Sequence, residues 1–182
     1  MRRSKGSLAT YVPIALAAVI VASVPLVSPD RYLLKVLVYV GVNVIVIAGL
    51  ALLFGHAGQI SMGHAAFVGI GAYTSAYCVM QAGLPWLVGV AAGTMLAAAG
   101  GLVLALPALR LRGHYLAMAT LGFNEIMYVA FRETRAVTGG SDGLGGIPYP
   151  RVATLSLDSP VAVYLLVWGV ALCAVLVVAN IL

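Results

Sequence analysis

Apolar runs of about 20 residues recur along this chain, and that is the length an α-helix needs to cross the hydrocarbon core of a bilayer. They fall at Leu8–Val27, Leu33–Phe54, Gly55–Tyr77, Trp86–Leu106, His114–Phe131 and Val161–Leu182. Only 8% of the residues are charged and 63% are hydrophobic, where ordinary soluble domains carry roughly 25% charge, so a soluble globular fold is excluded. A transmembrane β-barrel would show alternating segments of about ten residues, and the runs do not alternate. The expected fold class is all-α: a polytopic transmembrane helical bundle with about six hydrophobic segments. We read residues 1–182 as a single transmembrane domain, with a long polar loop over 132–160 inside it.

The third run does not look like a simple anchor. GHAGQISMGHAAFVGIGAYTSAY, Gly55 to Tyr77, carries Gln59, Ser61, His64, Thr74 and Ser75 among its glycines. At 100° per residue Gly58, Ser61, Ala65, Gly69, Ala72 and Ala76 fall into one narrow stripe. Small residues let a neighbouring helix approach closely. Glycines beside polar groups also suit a helix that breaks where it lines a water-filled path. Packing stripe and path lining both fit these residues, and so do a continuous and a broken helix.

Charge gives a provisional topology. Arg2, Arg3 and Lys5 precede the first run and place the N-terminus in the cytoplasm. Arg110 and Arg112 return the chain to that side after four crossings, and the crossing count puts 132–160 outside, although Arg132, Arg135 and Arg151 pull the other way. Gly89, Gly93, Gly100 and Gly101 read as packing positions of the fourth run, Trp86 as an interfacial aromatic and Asn43 as a hydrogen-bond partner for a neighbouring helix. Cys78 and Cys173 read as buried small hydrophobes.

Glu125 is the one carboxylate inside a run, with Thr120, Asn124 and Tyr128 beside it at helical spacing. An ionisable group at membrane depth costs a few kcal/mol and is a functional candidate; a partner for a basic residue near the helix end is the structural alternative. His56, His64 and His114 lack the one-turn spacing of a helical zinc site. Ser61 and His64 lack a nucleophile elbow and an orienting acid, so neither a metal site nor a hydrolase is expected. The glycine-rich run Thr138, Gly139, Gly140, Ser141, Asp142, Gly143 has no Gly-Lys-Ser/Thr ending, which excludes a phosphate-binding loop. It reads either as an ordered loop closing over a pore mouth or as a connector.

Three stretches together resemble one family: GQISMGHAAFVGIGAYTSA (Gly58–Ala76), LRLRGHYLAMATLGFNEI (Leu109–Ile126) and TGGSDGLGGIP (Thr138–Pro148). They are similar to the permease subunits of branched-chain amino acid ABC importers, especially the second of their two paired permeases; permeases for urea and short amides share much of the pattern. The resemblance covers about Leu33 to Pro150. It implies a membrane-spanning subunit, in a prokaryotic inner or plasma membrane, that imports branched-chain amino acids or related small polar solutes. It also implies a second permease subunit, two cytoplasmic ATPase subunits that use the ATP, and an extracytoplasmic substrate-binding protein. The chain itself would bind no cofactor, metal or nucleic acid and would not be an enzyme. Members of the family continue further, so the chain is expected to hold the N-terminal part of their pattern. Transport-path candidates are Gln59, Ser61, His64, Thr120, Asn124 and Glu125; loop candidates are Thr138 to Gly143; packing candidates are Gly58, Ala65, Gly69, Ala72 and Ala76. The alternative from another mechanism class is an ion-coupled carrier using Glu125 as its proton site.

Overall fold

The structure, a computed structural model, describes residues 8–27, 30–58, 61–108, 111, 113–152, 155–156 and 158–181. Six long helices account for most of them: α1 (Leu8–Val27), α2 (Arg31–Ala57), α3 (His64–Met80), α4 (Trp86–Ala108), α5 (His114–Glu133) and α7 (Pro160–Ile181). A one-turn α6 (Arg135–Thr138), a 3-10 turn (Gly140–Asp142) and a two-residue antiparallel pair, β1 (Arg151–Val152) with β2 (Leu155–Ser156), interrupt the polar segment. The all-α membrane bundle expected from the apolar runs is what the chain forms. Among the described residues, three helices are long and apolar enough to cross a bilayer by length and composition: Arg31–His56, Trp86–Leu106 and Pro160–Ile181. At 1.5 Å per residue the 17 residues of α3 reach only about 26 Å, since Gly58, Ser61, Met62 and Gly63 lie outside the helices. The chain divides into two compact units, Met1–Ala57 with Leu157–Leu182, and Gly58–Ser156.

The first unit is α1, α2 and α7. Asp30 opens α2: its carboxylate accepts the Tyr32 N–H at 3.0 Å and its carbonyl the Leu34 N–H, which satisfies donors a helix start leaves orphaned. Ser159 does the same for α7, with Pro160 at the first helical position, where a missing N–H costs nothing. Gly41 is buried beneath α7; a Cβ there would lie 2.9 Å from Val167 Cγ1 and 3.4 Å from the Trp168 ring. That clearance lets the Trp168 indole N–H donate to the Leu37 carbonyl at 3.1 Å. A second bond has a more specific cause. Pro25 sits inside α1 and has no N–H, so the Val21 carbonyl, four residues earlier, lacks its helical donor. The Tyr164 hydroxyl donates to that carbonyl at 2.9 Å, from a side chain only 1% exposed. Asn43 corrects an expectation: it is exposed and donates to the Tyr39 carbonyl of its own helix at 2.8 Å, not to a neighbour. Cys173 is also exposed on α7 and Cys78 half-buried on α3, since in an apolar helix the lipid-facing side is as hydrophobic as the packed one.

In the second unit α3 and α4 form the most extensive interface. They are joined by a short turn in which Gly83 takes a positive φ of 62°. The contact is backbone on backbone. A Cβ on Gly93 would fall 2.5 Å from the Gly71 carbonyl oxygen, and one on Gly89 would fall 3.0 Å from the Ser75 carbonyl oxygen. Gly89 and Gly93 thus do what small residues do in membrane bundles, while Gly100 and Gly101 meet only the ends of Ile70 and Phe67. On the other flank α3 meets α5 through aromatic pairs, Phe67 with Phe123 (centroids 5.3 Å) and Tyr73 with Phe131 (5.0 Å). The Phe131 ring lies directly over Gly69.

The six-residue stripe therefore is not one helical face. Gly58 and Ser61 precede α3, Ala65 and Ala72 are exposed, and Ala76 is buried. The face toward α4 instead carries Phe67, Gly71, Ser75 and Val79, offset from the stripe. Within α3 Ala65, Gly69, Ala72 and Ala76 keep their common face, where Gly69 lies under Phe131; Gly58, with a φ of 60°, and Ser61 lie before the helix begins.

Candidate functional site

Two places in the second unit combine irregular backbone with polar side chains. The first is the approach to α3. Leaving the helix between Gly58 and Gly63 frees backbone donors, and in a membrane protein each needs a partner. Thr120, on α5 and 4% exposed, supplies one. Its hydroxyl oxygen accepts the Met62 N–H at 3.0 Å and its proton goes to the Ala117 carbonyl at 3.0 Å. Gly63 fits flush against α5, where a Cβ would meet the Thr120 carbonyl oxygen at 2.9 Å. Ser61 and His64 flank this seat, both half-buried. Gln59 lies outside the described residues, as do Arg110 and Arg112.

The second place is the glycine-rich loop, which is held by hydrogen bonds among its own residues and the end of α5. Thr138 is 3% exposed. Its hydroxyl lies within donor reach of the Phe131 and Thr134 carbonyls, which share its one proton, and it accepts the Gly140 N–H at 3.2 Å. Gly139 and Gly140 take φ of 76° and 67°, and a Cβ on Gly139 would run into the Gly143 carbonyl. Only glycine satisfies both demands. The Gly143 N–H then bonds the Gly140 carbonyl at 3.3 Å, closing the 3-10 turn. Asp142 stands exposed at its end.

Folding the loop back on α3 and α5 leaves a half-open cleft of about 440 Å³ lined by Tyr73, Tyr128, Phe131, Arg132, Gly140 and Ser141. That volume lies within the range of small-molecule sites. A smaller, mostly apolar cleft of about 200 Å³ is bordered by Trp86 together with Ile147, Pro148 and Pro150.

The loop candidates Gly140 and Ser141 thus meet residues of α3 and α5 at one cleft. The path candidates are more dispersed. Asn124 is half-buried, while Glu125 is exposed and makes no ion pair among the described residues. Ala65, Ala72, Gly69 and Ala76 sit on α3 as described above. Sequence reasoning did not single out Tyr73, Phe131 or Arg132. The aromatics look like ordinary apolar-run residues, and Arg132 looks like a flanking charge; α3–α5 packing brings them together, and the fold-back at Gly139–Gly140 brings Gly140 and Ser141 to them. Among the described residues no group of three or more His, Cys, Asp or Glu is placed to hold a metal ion.

Residues 32–182 match the family described as the permease component of branched-chain amino acid transport systems. Over 110 residues the chain is 38% identical to the high-affinity branched-chain amino acid transport system permease protein LivM of Escherichia coli, and 37% identical to the protein of that name from Salmonella typhimurium. Each match covers 60% of this chain and 26% of the relative, so the chain spans about a quarter of the length of the curated relatives it matches. No solved structure matches significantly. The apolar helices, the glycine-packed pair α3–α4 and a family match that runs over 32–182 agree: this membrane protein belongs to the permease components of branched-chain amino acid transport systems.

Proposed function

We propose that this chain is part of the membrane-spanning subunit of an ATP-driven importer for branched-chain amino acids or related small polar solutes such as urea and short amides. The observation that carries this reading is the family match over 32–182, reinforced by the names of the two relatives. On this reading the chain sits in a prokaryotic inner membrane with its N-terminus in the cytoplasm. It pairs with a second permease subunit, receives solute from an extracytoplasmic binding protein and is driven by two ATPase subunits. It performs no covalent chemistry and binds no cofactor of its own. Ser61, His64, Asn124 and Glu125, with Gln59, are proposed to border the solute's route. Thr120 acts differently, since its hydroxyl is already committed to the backbone at the approach to α3.

The test is uptake by cells in which the intact gene is deleted and then restored. Import of leucine, isoleucine, valine or urea should fall on deletion and return with the gene, and it should survive collapse of the proton gradient while ATP is maintained. Uptake that stops with the proton gradient, and stops again in a Glu125→Gln variant with ATP intact, would instead establish the proton-coupled carrier.

A further inference from the structure

The cleft over α5 has a lining whose chemistry is more specific than a generic solute path requires. Three of its residues, Tyr73, Tyr128 and Phe131, present aromatic rings, and the Tyr73–Phe131 contact holds two of them at 5.0 Å. Its single charged lining residue is Arg132, in the last turn of α5, which makes no ion pair among the described residues. The Thr138 hydroxyl pins Gly140, which fixes the 3-10 turn carrying Ser141. Ser141, exposed as Arg132 is, makes no hydrogen bond among the described residues and borders the same space. A guanidinium, a hydroxyl and aromatic rings bordering one space match a small molecule with a carboxylate at one end and an apolar or ammonium part at the other. Arginine pairs with a planar carboxylate through two parallel hydrogen bonds, and ring faces take either methyl groups or a cation.

We infer that this cleft is a carboxylate-reading station for the solute, with Arg132 and Ser141 holding the carboxylate and Tyr73, Tyr128 and Phe131 forming the wall for the rest. The inference rests on the importer reading and sharpens it: an importer that reads the carboxylate here discriminates amino acids from their amides within the membrane subunit. Arg132 and Ser141 come from segments that meet only because Gly139 and Gly140 turn the chain back. The selectivity is therefore a property of the folded loop and not of α5 alone.

The experiment is equilibrium binding of radiolabelled leucine to the intact, complete permease complex in detergent without its binding protein, with leucine amide as competitor. It is paired with ATP-driven leucine uptake by the same complex in liposomes. Charge-assisted hydrogen bonds of this kind correspond to about ten- to a hundredfold in affinity. Leucine amide should therefore compete at least about tenfold more weakly than leucine, and this requires no variant. Arg132→Gln should weaken leucine by about ten- to a hundredfold while leaving the amide's affinity unchanged, so that the discrimination disappears. Ser141→Ala should weaken leucine by a smaller factor in the same direction.

Equal affinity for leucine and its amide in the natural protein overturns the inference, as does an Arg132→Gln complex that still prefers leucine. An anionic lipid headgroup offers similar oxygens. Native mass spectrometry that finds phospholipid retained through Arg132 and not displaced by leucine also overturns it. A natural complex that imports no leucine overturns the importer reading itself, whereas import with unchanged discrimination in Arg132→Gln overturns only the cleft assignment.

Discussion

Replacing Tyr164 with phenylalanine removes one hydroxyl from a residue 1% exposed and leaves its ring, and so its packing, in place. The hydroxyl donates at 2.9 Å to the Val21 carbonyl, which Pro25 leaves without a helical partner. A carbonyl left unsatisfied in a part-buried site costs about 1–3 kcal/mol. Interhelical hydrogen bonds in membrane proteins average about 0.6 and reach about 1.7 kcal/mol, so we expect a loss of about 1–2 kcal/mol for Tyr164→Phe. The decisive control is Pro25→Ala. Alanine returns an N–H at the position from which α1 itself can satisfy Val21, so in that background the hydroxyl becomes redundant. The cost of Tyr164→Phe should then shrink by about 0.6–1.7 kcal/mol, the coupling energy of a double-mutant cycle. The assay is reversible unfolding of the intact permease in mixed micelles, followed by helical circular dichroism for the four proteins of the cycle. An equal cost of Tyr164→Phe with and without Pro25 would refute the argument, since the tyrosine would then be stabilising something other than the proline-orphaned carbonyl.

The α3–α4 contact is asymmetric. A Cβ on Gly93 would stop 2.5 Å from the Gly71 oxygen, about 1 Å short of ordinary contact, whereas a Cβ on Gly71 would find its neighbour at 3.9 Å. Gly93→Ala should destabilise by about 1–3 kcal/mol and Gly71→Ala should be neutral or mildly stabilising, a ranking that thermal unfolding in detergent would check. Thr120→Val should expose the Met62 amide to hydrogen exchange and cost about 1–3 kcal/mol, while Thr120→Ser, which keeps the acceptor for Met62, should leave its protection near that of the natural protein. Thr138→Val or Gly139→Ala should loosen residues 138–143, seen as faster proteolysis there, whereas Thr138→Ser should not.

The parts of this fold that the sequence makes readable are those governed by one-dimensional periodicity and composition. Runs such as Leu33–Phe54 and Val161–Leu182 correspond to α2 and α7 within a few residues, because a long apolar stretch in lipid has few conformations that satisfy its own backbone. Gly89 and Gly93 were readable as packing positions for a related reason: a membrane helix has little use for glycine other than close approach. What the stretch did not show was where α3 begins. A positive-φ glycine at 58 lies ahead of it, outside the helices, and no residue in the stretch announces which of its several glycines will do this. Asn43 failed differently. Its amide could reach a neighbour or its own turn, and the i−4 carbonyl of Tyr39 is always in range.

The site was less readable because the fold uses polar residues for two tasks, and one task takes precedence. Where this chain leaves regular helix it frees backbone groups that need a hydrogen-bond partner. The nearest hydroxyls serve those groups first: Thr120 at the approach to α3, Thr138 at the glycine turn and Tyr164 beside Pro25. In a sequence these residues are indistinguishable from ones that face a solute, and Thr120 and Thr138 both stood among the candidates for that reason. The structure separates the two kinds by asking which hydroxyls are already engaged. Ser141 has no partner among the described residues, and Arg132 beside it makes no ion pair there. Both side chains are exposed and border the cleft, so they are available to a solute there. The carboxylate assignment rests on that asymmetry, and the comparison of leucine with its amide tests it.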